Sequence, residues 1–332
     1  MKIGILTFHS AKNYGAALQC RCLYEVLRSL GHEVSVIDYR PDYLTAPYKL
    51  WKSSFAKHPM TMLKVSAKLA GAMKREAAFK AFESGLSLSP VEGSRFDAIF
   101  YGSDQIWNRN ISGGVDPMFY AGAPIAAMTR NIAYAASDGD IIPNPEELKV
   151  IRRYLHNFYR IGVREKTMLE RMDQAGIPAV LNIDPVILAG TEVLDQICAP
   201  VKEKDYVLTY EAIDDPKVAS LAANIAAENG LKVLPVARTP YSKGRNKYGP
   251  AEFISLIKDA SHIVTTSFHA TALSILYGKS FDFIHTGTKA DGRIDSLLNS
   301  LGDNPAESIE KLRRESMDFI LEALKSDSPD EA

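Results

Sequence analysis

Short apolar runs of strand length alternate with amphipathic stretches along this chain, a pattern that predicts parallel α/β units. Ile3–Phe8 is one such run, and the polar loop Ser10-Ala11-Lys12-Asn13-Tyr14-Gly15 follows it. A helix is expected from about Ala16, because Leu18, Cys22, Leu23, Val26, Leu27 and Leu30 form one stripe that Gly31 closes. Val34–Asp38 is the next strand and completes a βαβ unit. Further strands are expected at Ala98–Tyr101, Asn131–Ala135 and Phe158–Val163. The second half repeats the style with Tyr206–Tyr210, a helix over Lys217–Asn229, Lys232–Val236 and a helix near Glu252–Lys258. Ile263–Thr266 then leads into the apolar helix Ala272–Tyr277, stopped by Gly278. Phe281–Ile284 reads as a strand, and Arg293–Leu301 and Glu307–Leu324 read as helices.

The fold class that follows is α/β, with two Rossmann-like parallel-sheet lobes facing a central cleft. A length of 332 residues suits two domains. Residues 1–175 are expected to form the N-terminal lobe and 176–325 the C-terminal lobe, with 326–332 a small, acidic, frayed tail. One stretch, near 49–85, breaks the alternation. It carries eight cations (Lys49, Lys52, Lys57, Lys64, Lys68, Lys74, Arg75 and Lys80) and one acid before residue 81, Glu76. Trp51, Phe55, Met60, Met62, Leu63, Leu69, Met73 and Phe79 are interspersed. A basic amphipathic helix pair of this kind suits peripheral contact with an anionic membrane surface or glycolipid. The alternative is a solvated insertion packed on the first lobe.

Composition narrows the class. Apolar content of 46% with 24% charged residues is ordinary for a globular protein, and a net charge of −1 gives no general attraction to nucleic acid. Cys20 and Cys22 point to different faces of one helix, Cys198 is distant, and no Cys/His set has zinc spacing. A reduced, cytoplasmic setting is expected. The first apolar run is too short for a signal peptide or a membrane span.

Ligands of open α/β sheets bind beyond the carboxyl ends of the strands, and three expected strand ends carry polar residues that packing does not require. Gly102-Ser103-Asp104-Gln105-Ile106-Trp107-Asn108 follows one strand. It crowds hydrogen-bonding groups beside an aromatic ring, as sugar sites do, unless Asp104 merely closes an Asx turn. Arg164-Glu165 follows another, where a buried arginine must meet an anion, either a ligand or its neighbour Glu165. His269 falls at the first turn of a helix, after Ser267-Phe268. Free amides and the helix dipole make that turn an anion site, unless the histidine simply tops the core. The loop holding Arg238, Lys243, Arg245 and Lys247 would add attraction for an anion if it overhangs the cleft.

Four ordered blocks resemble the polysaccharide pyruvyl transferase family: Asn13-Tyr14-Gly15-Ala16-Ala17-Leu18-Gln19, Gly102–Asn108, Val163-Arg164-Glu165-Lys166 and Thr266-Ser267-Phe268-His269-Ala270-Thr271. Arg293-Ile294-Asp295-Ser296-Leu297-Leu298 is similar to a further C-terminal block. The resemblance implies a GT-B-like fold and transfer of pyruvyl from phosphoenolpyruvate to a sugar, forming a pyruvate ketal on a cell-surface glycan or its lipid-linked precursor. It also implies an anion-binding arginine at Arg164 and a critical histidine at His269. Asn13, Tyr14, Gly102, Ser103, Gln105, Trp107, Glu165 and Ser267 become candidate substrate-binding residues within those blocks, and Arg245 one outside them. Some relatives carry arginine where this chain has Ser267, and many carry glycine where it has Ala270.

In the expected chemistry, Arg164 and the His269 helix amides grip a compact polyanion. His269 is the candidate general acid–base, and Asp104 positions an acceptor hydroxyl or takes its proton. No metal or cofactor is called for beyond phosphoenolpyruvate as donor substrate. Expected partners are a sugar or lipid-linked acceptor and no nucleic acid. Two other readings stay open: a GT-B glycosyltransferase using a nucleotide sugar, and a non-catalytic glycan-binding protein. A dinucleotide enzyme is disfavoured, because no Gly-x-Gly-x-x-Gly follows the first strand.

Overall fold

The computed structural model describes residues 1–50, 59–288, 291–302 and 304–325, and within them the chain forms two parallel sheets. The first lobe opens with β1 (Lys2–Leu6), α1 (Tyr14–Ser29), β2 (Glu33–Ile37), the one-turn α2 (Asp42–Thr45) and the long α3 (Pro59–Glu83). β3 (Leu88–Ser89), β4 (Ala98–Tyr101), the short α4 (Arg109–Ser112), β5 (Arg130–Ala136) and α5 (Pro145–Leu155) follow. β6 (Arg160–Val163), α6 (Lys166–Gln174) and β7 (Val180–Leu181) complete it. Its strands lie in the order β3-β2-β1-β4-β5-β6-β7, all parallel.

The second lobe is reached through α7 (Pro185–Ile197). It contains β8 (Tyr206–Tyr210), α8 (Pro216–Glu228), β9 (Lys232–Val236), α9 (Pro250–Lys258), β10 (His262–Thr265) and α10 (Phe268–Leu276). β11 (Phe281–Phe283), α11 (Asp291–Leu301) and α12 (Pro305–Leu324) end the described chain. The strand order is β11-β10-β8-β9, again all parallel. In each sheet the winding direction reverses beside the lobe's first strand, between β1 and β4 and between β8 and β10. Loops leaving such a pair diverge and open a crevice.

One apolar core runs through both lobes. Ile5 and Leu18 of the first, Val186 and Leu194 of α7, and Leu208, Leu256 and Leu273 of the second belong to the same buried cluster. Each such side chain contributes about 1.5–3 kcal/mol through loss of water contact. α12 returns to the first lobe: the Ile183 amide donates to Ser316 Oγ at 3.0 Å, and Arg160 pairs with Glu322 at 2.7 Å.

The basic stretch forms one helix among the described residues, and that helix reaches the second lobe as well as the first. Lys68 Nζ donates to the Ser242 carbonyl at 2.5 Å, and Asn246 Nδ2 donates to the Lys68 carbonyl at 3.0 Å. Gly71 permits this approach, since a Cβ there would sit 2.1 Å from Asn246 Oδ1. Arg75 is buried. Its Nη2 donates to the carbonyls of Lys12 at 2.8 Å and Arg238 at 3.0 Å, and its Nη1 to that of Tyr248 at 3.4 Å. The outer face keeps Leu69 and Met73 exposed beside Lys74 and Lys80. No helix among the described residues is long and apolar enough to cross a membrane. The part of the expected helix pair on residues 51–58, and the expected tail at 326–332, lie outside the described residues.

Candidate active site

The two crevices face one another across a single cavity of about 420 Å³. Its first-lobe wall holds Asn13 from the loop after β1 and Asp104 and Gln105 from the loop after β4. The second-lobe wall holds Tyr210 at the end of β8, Ile213 beyond it, and Thr266, Ser267, Phe268 and His269 after β10, while Arg293 enters from α11. Aromatic and apolar groups, Phe8, Tyr43, Leu44, Pro47 and Tyr48, line a further part.

The turn that presents His269 is built from short polar side chains. Thr265 Oγ1 donates to the Tyr210 carbonyl at 2.5 Å and accepts the Ser267 amide at 3.0 Å. Ser267 adopts extended geometry and caps α10, accepting from the Ala270 amide. That leaves the first-turn amides of Phe268 and His269 at the cavity, where the positive end of the helix lies. The facing helix α1 is capped the same way, with Asn13 Oδ1 accepting the Ala16 amide at 3.3 Å. Gly15 then lies hard against the imidazole, since a Cβ there would be 2.1 Å from His269 Nδ1.

Beneath the cavity floor is a charge network centred on Asp184, the N-cap of α7. Its Oδ2 accepts from Arg164 Nη1 at 2.8 Å and from Ser103 Oγ at 3.3 Å, and lies 3.5 Å from His269 Nε2. Burial alone would raise this carboxyl's pKa, but His269, Arg164 and the Val186 amide outweigh it and hold it well below the usual range. Arg164 also pairs with Glu165 Oε1 at 3.3 Å. Burial opposes the Arg164 charge, yet Glu165, Asp184 and Asp104 together keep it firmly protonated. Glu165 behaves oppositely to Asp184: burial lifts its carboxyl above the ordinary value despite Arg164 and Arg293.

Arg293 is the guanidinium that faces the cavity. Burial lowers its pKa, with Arg164 adding repulsion, while Glu165, Asp104 and Asp184 oppose the shift. In the amide orientation that suits both partners, Gln105 Oε1 accepts from its Nη1 at 2.9 Å and Nη2 at 3.0 Å. Its buried Nε has no partner. Among the described residues, no group of three or more His, Cys, Asp or Glu could hold a metal ion.

The sequence candidates therefore separate. Asn13, Asp104, Gln105, Ser267 and His269 meet in the cavity. Arg164, Glu165 and Ser103 lie behind it, buried, and Arg164 meets protein carboxylates rather than solvent. Gly102 serves the backbone, with φ +114° and a would-be Cβ 2.5 Å from the Tyr134 carbonyl. Three further candidates lie away from the cavity. Tyr14 is wholly buried between the lobes, stacked on Phe253 with its hydroxyl on the Tyr248 carbonyl. Trp107 lies in the core, stacked on Tyr120, and its Nε1 donates to the Phe119 carbonyl. Arg245 pairs with Glu203 at 3.4 Å and does not line the cavity. Sequence reasoning missed Asp184, whose signal was an Asp-Pro pair opening a helix, and gave Arg293 no role of its own.

The polysaccharide pyruvyl transferase family model matches residues 13–281. No curated protein is a significant match to the chain. Among solved structures, a UDP-N-acetylglucosamine 2-epimerase is similar at 11% identity, over 99% of this chain and 98% of its own, with a TM-score of 0.51. The corresponding epimerase of Rickettsia bellii is 10% identical over 97% and 96%, with a TM-score of 0.48. The glycosyltransferase SnogD from Streptomyces nogalater is 14% identical over 98% and 99%, with a TM-score of 0.39. The first of these likenesses bears on fold alone, and that fold is the two-lobed GT-B arrangement implied by the family resemblance.

Proposed function

Because the chain belongs to the polysaccharide pyruvyl transferase family, we propose that it transfers the pyruvyl group of phosphoenolpyruvate to two hydroxyls of a sugar, closing a cyclic ketal. The observation that carries this reading is the meeting of His269, the α10 amide turn and Arg293 in one cavity at both sheet crevices. A donor with a carboxylate and a phosphate needs two cationic or amide-rich footholds. The α10 turn supplies one and Arg293 the other.

Protonation of the donor's methylene carbon makes an oxocarbenium-like centre at C2. A first sugar hydroxyl adds there, phosphate leaves, and a second hydroxyl closes the ring. Of the two hydroxyl protons, one balances the new methyl group and the other leaves with phosphate. His269 is assigned the proton transfers, and Asp104 orients the acceptor hydroxyl. Arg164 acts from behind, through Asp184, rather than by gripping the donor. The aromatic part of the cavity, Tyr43 and Tyr48 with Phe8, offers the apolar face that a sugar ring prefers, the role expected of Trp107 from sequence.

Incubation with phosphoenolpyruvate and a panel of glycosides tests the proposal. The expected result is phosphate release matched by a sugar mass gain of one pyruvyl group. Sugar transfer from a nucleotide donor, with phosphoenolpyruvate untouched, would replace this reading with a glycosyltransferase.

A further inference from the structure

We propose that Asp184 and Gly15 are positioning residues that fix His269 with Nδ1 as its working nitrogen. This rests on the reading of His269 as the proton-handling group. The imidazole is held on both edges. On one, Nε2 is enclosed, without a partner other than Asp184 Oδ2 at 3.5 Å. On the other, Nδ1 and Cε1 lie where a Gly15 Cβ would come within 2.1 and 2.5 Å. Any side chain at position 15 would cover Nδ1 or push the ring away, so glycine keeps that nitrogen uncovered.

Asp184 is itself held by other partners. It caps α7 through the Val186 amide at 3.0 Å and takes Arg164 Nη1 at 2.8 Å and Ser103 Oγ at 3.3 Å. An ionised carboxylate only accepts hydrogen bonds, so its partner Nε2 carries the proton and the Nδ1 lone pair is left for chemistry. One contact thus selects the tautomer, and Arg164 shares the same carboxylate oxygen.

The test reads the tautomer directly. ¹⁵N-labelled histidine spectra of the whole protein resolve its seven histidines, and a His269→Asn variant assigns the signal. The wild type is expected to show neutral His269 as the Nε2–H form. Asp184→Asn, which can turn an amide N–H toward Nε2, is expected to shift it to Nδ1–H. In the same variant kcat should fall by about 10²–10⁴ while the phosphoenolpyruvate KM changes little. If Asp184→Asn does not fold, Gly15→Ala carries the test, with a displaced His269 signal and a lowered kcat. An Nδ1–H wild type, or variants that leave both tautomer and kcat unchanged, would overturn the proposal. A wild type with the Nε2–H form but no phosphoenolpyruvate turnover would sink pyruvyl transfer and still support the placement.

Discussion

Two of the arginines buried among the described residues, Arg75 and Arg164, have surroundings that differ in kind. Arg164 meets two carboxylates, Asp184 and Glu165, under the cavity. Arg75 meets three backbone carbonyls and lies over the rings of Tyr14 and Phe79 at 4.4 and 4.3 Å. Carbonyls and ring faces carry no net charge, so the Arg75 contacts tie loops of both lobes together through dipoles and ring quadrupoles. Carboxylates are charged, and the Arg164 cluster sets the electrical environment of a neighbouring histidine. The contrast separates a guanidinium that fastens the fold from one that tunes a site.

Arg164→Met should break the comparison most sharply, because it strands two buried acids. A loss of about 3–5 kcal/mol in denaturant unfolding is expected, with activity abolished. His269→Ala, which keeps both Arg164 ion pairs, should cost far less stability than Arg164→Met and lower kcat by about 10²–10⁴ in a phosphate-release assay. Arg293→Ala should act on binding: losing charged hydrogen bonds of about 1.5–3 kcal/mol corresponds to a rise in phosphoenolpyruvate KM of about 10- to 100-fold. Arg75→Met should cost about 1–3 kcal/mol of stability through unpaired carbonyls, with turnover at low temperature changing little.

The smallest effect is also the most discriminating. The Asp184 carboxyl is depressed in the folded protein, so its stabilisation is fully present above the unfolded value of about 3.9 and fades as pH falls toward the folded one. The stability deficit of Asp184→Asn should therefore shrink below about pH 4. That of Arg75→Met, whose partners do not titrate, should stay flat over the same range. Parallel acid limbs for the two variants would erase the distinction.

Long periodic elements were legible from sequence: β8 and β9 fall on the expected residues, and α8, α9 and α12 begin within two. β3 and β7 were not, because two-residue strands carry no period to detect. α5 and α6 also escaped, although the apolar positions of each fall on one face. At the site, local grammar was informative for His269, since a strand, a capping serine and an apolar helix are adjacent in sequence. Its coupling to Asp184 could not be read, because the two meet only when α7 and α10 pack. Trp107 misled for a related reason. A tryptophan among polar residues looks alike whether its face meets a sugar or Tyr120. In the basic stretch the cations did not declare their partners, and Arg75 and Lys68 found carbonyls of the second lobe.

The docking of α12 on the first lobe has a consequence for biosynthesis. A ribosome makes the seven strands of that lobe early, but the helix that covers Tyr134 and supplies Ser316 to the Ile183 amide emerges after both sheets. The half begun first is thus completed last. Its apolar flank must stay sheltered during translation, and nascent chains stalled before α12 should be the species that chaperones hold.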